Sequence, residues 1–144
     1  MSNSLFKDTV TLYHSIISKG SESIYRKVLR GTKYIETFKI EGDNNLVLYI
    51  PLGVKRSLKY VSPSQFKDNA HIENTFSIST GDKIVPGICE EPSPPENAYT
   101  VTVLEKNILG SLRMHHIKAK GTVIIPPVTE DEPVWDGEGE EDEL

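Results

Sequence analysis

The feature that most constrains this chain is a recurring pattern: short runs in which apolar and polar residues alternate, each closed by a turn signal. In Phe6 to Ile16, FKDTVTLYHSI, residues Val10, Leu12, His14 and Ile16 share one face, and Thr9, Thr11, Tyr13 and Ser15 share the other. A period of two in β-branched and aromatic residues is the signature of a half-buried strand. Ser18 to Ser23 has turn composition, and Ile24 to Gly31 reads as a returning strand stopped by glycine, so the two runs make a hairpin. Next, Tyr34, Glu36, Phe38 and Ile40 alternate with Lys33, Ile35, Thr37 and Lys39. The sequence EGDNN, Glu41 to Asn45, then reads as a turn leading antiparallel into LVLYIP, Leu46 to Pro51.

The middle is less regular. Ser62-Pro63 reads as an N-cap followed by a first-turn proline, with Gln65 completing a capping box, which predicts one or two helical turns from Pro63 to about Asn69. Phe76 to Ser79, the turn TGD and KIVPG form a second hairpin-like unit, while EEPSPPEN, rich in proline, reads as a stiff exposed loop. YTVTVLEKN alternates again, a turn follows around Ile108 to Ser111, and LRMHHIKAKG returns. Six to eight short strands with one short helix imply a mainly β fold, a small β-barrel or sandwich. The absence of an internal repeat or long amphipathic run argues against solenoid and doubly wound architectures.

With 144 residues the chain suits one domain that buries its core without staples. Cys89 is the only cysteine, so neither an intrachain disulfide nor a cysteine zinc site is available. No apolar run approaches the roughly 20 residues of a membrane-spanning helix, and the first residues lack a signal-peptide layout. A soluble protein of a cytoplasm, without a membrane partner, is expected. The net charge of -5 is unevenly spread, because residues 130–144 hold nine acidic side chains and no basic one. That leaves 12 acidic against 16 basic side chains in residues 1–129. The chain therefore divides into a mildly basic β domain, 1–129, and an extended acidic C-terminal arm, 130–144.

No constellation for catalysis stands out. His115 and His116 are adjacent and point to opposite faces of a strand, so they cannot chelate one ion together; His14, on the inner face of the first strand, is the one further histidine considered as a partner for either. Cys89 lies beside Glu90 and Glu91, whose charge suppresses a thiolate. The carboxylates crowd into the arm, and TGDKIVPG lacks the ending of a phosphate loop. No enzyme, cofactor or metal is expected. The alternative is a small single-strand nucleic-acid-binding barrel. Lys55, Arg56 and Lys59 form one basic group and Arg26, Lys27, Arg30 and Lys33 another, with Tyr25, Tyr34 and Tyr60 nearby for stacking.

The order of FKDTVTLYHS, a hairpin, LVLYIP, YVSPSQF, GDKIVPG and MHHIKAKG resembles a family of small minor capsid or neck proteins of tailed bacteriophages. More distantly, Asp8 to Leu12 and the ending Tyr49, Ile50, Pro51 are similar to the head-closure, or stopper, proteins of the head-tail connector. The stretch from Lys55 to Asn97 is longer than that pattern, and the acidic arm has no counterpart in it. The resemblance implies a structural virion protein, assembled in the bacterial host cytoplasm. It would form a homo-oligomeric ring, twelve-fold or six-fold, in the neck. Its partners would be a portal or adaptor protein, a tail-completion protein and the packaged DNA passing through. It also implies that Glu41, Gly42, Asp43, Asn44 and Asn45 form a channel-facing loop. Independently of family, the opening strands read as edges for a neighbouring subunit to cover. Pro133, Val134 and Trp135 are candidates for the arm's contact with the next protomer, since a tryptophan among carboxylates suits an apolar anchor.

Overall fold

The computed structural model describes residues 6–38, 42–52, 58–68, 74–108, 110–111 and 114–125. The chain is a six-stranded closed barrel, in the order β1-β2-β3-β8-β7-β6, with β6 pairing back to β1. β1 (Asp8–Ser18) and β2 (Ser21–Thr37) form the longest hairpin, joined by Lys19 and Gly20, both at positive φ as a tight two-residue turn requires. Gly31 does not stop β2. It takes φ 71° and the β1–β2 register slips by one residue between Asp8 and Val10, so the glycine sits at a bulge and the strand continues to Thr37. The two strands expected at 24–31 and 33–40 are thus one bent strand.

β3 (Gly42–Pro51) pairs with β2 and, along its whole length, with β8 (His116–Ile125). The expected EGDNN turn is therefore corrected: Asp43, Asn44 and Asn45 are ladder residues opposite Ile124, Val123 and Thr122, and Asn45 also faces Thr37. β7 (Tyr99–Asn107) carries a second bulge, between Val101 and Val103, which switches the face that looks inward. Tyr99 and Val101 are buried before it, whereas after it Val103 is exposed and Leu104 packs on the core.

β4 (Lys59–Tyr60) and β5 (Thr75–Phe76) form a separate two-stranded parallel sheet. The expected hairpin of Phe76–Ser79 with KIVPG does not form, because β5 pairs with β4 while β6 (Lys83–Pro86) closes the barrel between β1 and β7. The helix is present as α1 (Pro63–Asp68), with the reciprocal capping box: Gln65 N donates to Ser62 Oγ (3.2 Å) and Ser62 N to Gln65 Oε1 (3.1 Å). Its one buried residue, Phe66, sits edge-on to His14 (5.1 Å between ring centres) and Tyr25 (5.4 Å). Phe66 thereby fixes α1 over one end of the barrel.

Inside, Val10, Leu12, Leu29, Leu46, Leu48, Ile50, Ile84, Val101, Ile117 and Ala119 form the core, with Phe76 and Ile78 of the capping segment packed on it. β1 departs from alternation, since Val10 to His14 are all buried. Its outward residues are covered by the start of the proline-rich loop. Thr11 Oγ1 donates to Gly87 O and accepts from Cys89 N, Tyr13 OH donates to Glu91 O, and Arg26 Nε donates to Cys89 O. EEPSPPEN forms no strand, as expected, and its leading residues strap the first strand. With β2 on one side and β6 on the other, β1 is not an open edge.

Candidate functional site

Two places combine unusual chemistry with access. The first is a cleft of about 230 Å³ between the end of β1 and α1, lined by His14, Ser15, Ile16, Ile17, Pro63, Ser64, Lys67 and Ser79. At its base His14 and Asp82, both 2% exposed, meet with Nδ1 to Oδ2 at 2.6 Å. Asp82 also accepts from Ser79 N (2.8 Å) and Ser15 N (3.2 Å), so three groups hold this buried carboxyl. These bonds tie β1 to the turn before β6 and hold the imidazole in one orientation. Among the described residues no serine hydroxyl or cysteine thiol is joined to the imidazole, so the pair has no aligned nucleophile. The cleft is smaller than the roughly 300–1,000 Å³ typical of small-molecule sites. Asp82 was not singled out from sequence, because the contact spans 68 residues. The local signal was the Thr80-Gly81 turn with Ser79 three residues before an aspartate.

The second place is the outer wall formed by β2, β3, β8 and β7. Register aligns Ile35, Val47, Lys120 and Val103 in one row across four strands, and Lys33, Tyr49, Lys118 and Glu105 in the next. Ile35 is 50% exposed and Val103 41%, large values for apolar side chains in a sheet. Lys118 Nζ lies 5.8 Å over the Tyr49 ring, which His116 also flanks at 6.1 Å. The first row is therefore apolar except for Lys120, which lies between Val47 and Val103, and the two rows together carry three lysines against one glutamate. The bulge in β7 creates this apolar band, by turning Val103 outward where unbroken alternation would place it inside. Sequence reasoning missed this band, since its members come from strands whose register only the closed sheet sets.

The residues predicted for chemistry are scattered. His14 meets Asp82 and Phe66 rather than another histidine, and His116 Nδ1 donates to Met114 O (3.0 Å). Among the described residues no three His, Cys, Asp or Glu side chains come together as a metal site would need. The backbone of Cys89 joins the strap, and burial, helped by the Cys89 thiol and opposed by Arg26, pushes the Tyr13 hydroxyl up to about 12. Burial likewise raises Tyr34, Tyr60 and Tyr99, the last helped by Glu36, whose carboxylate accepts from its hydroxyl at 2.7 Å.

Among the described residues, the side chains expected to form a stacking platform are engaged in contacts of their own. Tyr25 packs on Phe66, Tyr34 and Tyr60 pack on the core, Lys27 lies over Phe66 at 5.7 Å, and Arg26 is held by the strap. Lys55, Arg56, Glu41, Pro133, Val134 and Trp135 lie outside the described residues. Of the expected channel loop, Gly42 heads β3 opposite Ile125, Asp43 is exposed, and Asn44, 9% exposed, faces inward. These residues are barrel wall rather than a projecting loop.

A protein-family model matches residues 5–122, and the description it carries is a family of unknown function. No curated protein and no solved structure matches the chain.

Proposed function

The chain belongs to DUF6751, a family of unknown function, and we propose that its members of this type are structural proteins of a tailed-phage virion. In this proposal the barrel forms a homo-oligomeric ring in the head-tail connector. The ring closes the DNA-filled head and offers surfaces to a portal or adaptor protein on one side and a tail-completion protein on the other. The observation that carries it is the apolar band on the outer wall. In the closed barrel every strand has a strand neighbour on each side over at least part of its length, so a sheet face rather than a strand edge is taken here as the contact. Ile35, Val47, Val103 and Tyr49, interspersed with Lys33, Lys118 and Lys120, offer apolar side chains beside cationic ones for such a contact. The stretches behind the phage resemblance fall on β1, β3, β6 and β8 of the barrel and, for YVSPSQF, on β4 and α1 outside it.

The test is made on particles. In a phage or prophage carrying the gene, antibody labelling should mark the neck of purified virions, and deletion should yield filled heads that lose DNA and carry no tails. Absence of the protein from purified particles would falsify the proposal. A single-strand nucleic-acid binder remains the competing function, with Tyr49, Lys118 and Lys120 as its natural contacts. Binding of free oligonucleotides by the isolated protein that weakens steeply with salt would favour it.

A further inference from the structure

The outer wall and the acidic arm are complementary in two respects at once. The wall offers Ile35, Val47 and Val103 with Lys120 in the same row, and Lys33 and Lys118 in the next, with Glu105 as the one acid in those two rows. The arm, EDEPVWDGEGEEDEL, has carboxylates on both sides of a single apolar pair, Val134 and Trp135. Building on the ring assembly proposed above, we infer that residues 130–144 of one protomer dock on the β2–β3–β8–β7 wall of a second copy. Val134 and Trp135 cover the apolar band and the flanking carboxylates face the three lysines.

Two considerations select this occupant. Opposite charge across the contact steers encounter and excludes like-charged partners, and nine carboxylates in fifteen residues match a lysine-bearing face. The ring proposed above then favours a second copy over its own wall, because a ring needs a contact that passes from one protomer to the next. A contact made by one patch on a different patch of the next molecule is heterologous, the kind that closes rings.

Trp135 is the only tryptophan, so its emission reports the arm alone. The full-length chain is diluted through its association range at low salt while its mass is followed by analytical ultracentrifugation and its emission by fluorescence. The expected result is a blue shift and a mass increase over the same concentrations, both reversed by salt. Lys118→Glu with Lys120→Glu should weaken both at least about tenfold at unchanged melting temperature, as loss of charge pairing around a desolvated anchor predicts. A synthetic peptide of residues 130–144 should bind a chain ending at Thr129, which keeps the test valid if the double variant folds poorly.

A blue shift independent of concentration puts the arm on its own barrel and overturns the inference. Water-exposed emission from assembled particles also overturns it while leaving the ring standing, and a protein monomeric throughout with water-exposed emission overturns it too. The virion experiment judges the ring itself. Oligonucleotide binding to the shortened chain that the lysine reversals abolish, and that the peptide does not compete, assigns the wall to nucleic acid and overturns the arm contact.

Discussion

Tyr13 shows how one side chain links fold to pH. Its hydroxyl donates to Glu91 O at 2.7 Å beneath the strap, and burial with the Cys89 thiol raises it from 10.0 to about 12. The folded state thus holds a proton that the unfolded chain releases near pH 10, so this stabilisation is complete below pH 10 and is lost as pH climbs toward 12. Urea midpoints should be flat from pH 7 to 9 and fall above 10, and Tyr13→Phe should make that fall shallower. Gly121 is a second sensitive position. A Cβ there would meet Tyr99 Cβ at 3.0 Å and Thr100 O at 3.4 Å, backbone-level neighbours with little freedom to move. Gly121→Ala should therefore cost about 1–3 kcal/mol in chemical denaturation, as overpacking does. From sequence Gly121 read only as the end of a strand, because what it makes room for is contributed by β7, some 20 residues away.

At the level of elements, α1 is too short to hold itself together and depends on Phe66. Phe66→Ala should cost about 3–5 kcal/mol and raise hydrogen exchange across 58–68, with His14 losing its edge-on neighbour. Asp82→Ala would leave Ser79 N, Ser15 N and the His14 imidazole without their acceptor at once, for which a loss of about 3–5 kcal/mol is expected by thermal or urea unfolding. α1 was legible in the sequence because Ser62, Pro63 and Gln65 carry its signal locally. The mainly β class and the strands β1, β7 and β8 were legible for the same reason, each being a run of its own. The extent of β2 was not, since Gly31 serves a bulge as readily as an ending. Nor was the start of β3, where Asn44 and Asn45, ordinary turn residues, are held in the ladder by Val123 and Thr122 of a strand far along the chain. The candidate surface was hidden by the same kind of distance, whereas the arm that we assign to it was visible from composition alone.

Across the whole molecule, closure is unevenly strong. β3 and β8 share ten register pairs, while β6 meets β7 through only two, Lys83 with Thr100 and Ile84 with Tyr99. Lys83 Nζ donates to Thr100 Oγ1 at 2.6 Å across that seam. Amides of β6 and its neighbours on β7 should exchange before those of the β1–β2 hairpin and the β3–β8 pair, and Lys83→Ala should widen the difference. The same seam fixes an order of events in time. The β1–β2 hairpin needs only its own residues and can form within about 1–10 μs. The second neighbour of β1 lies much farther along the chain, with Val10 opposite Pro86 and Leu12 opposite Ile84. On a ribosome adding about 5–20 residues per second, the first strand waits several seconds for that neighbour to be synthesised. During that interval the nascent chain displays an unpaired ladder with Thr11 and Tyr13 uncovered, and the newborn protein is most prone to aggregate before residue 86 has cleared the exit tunnel.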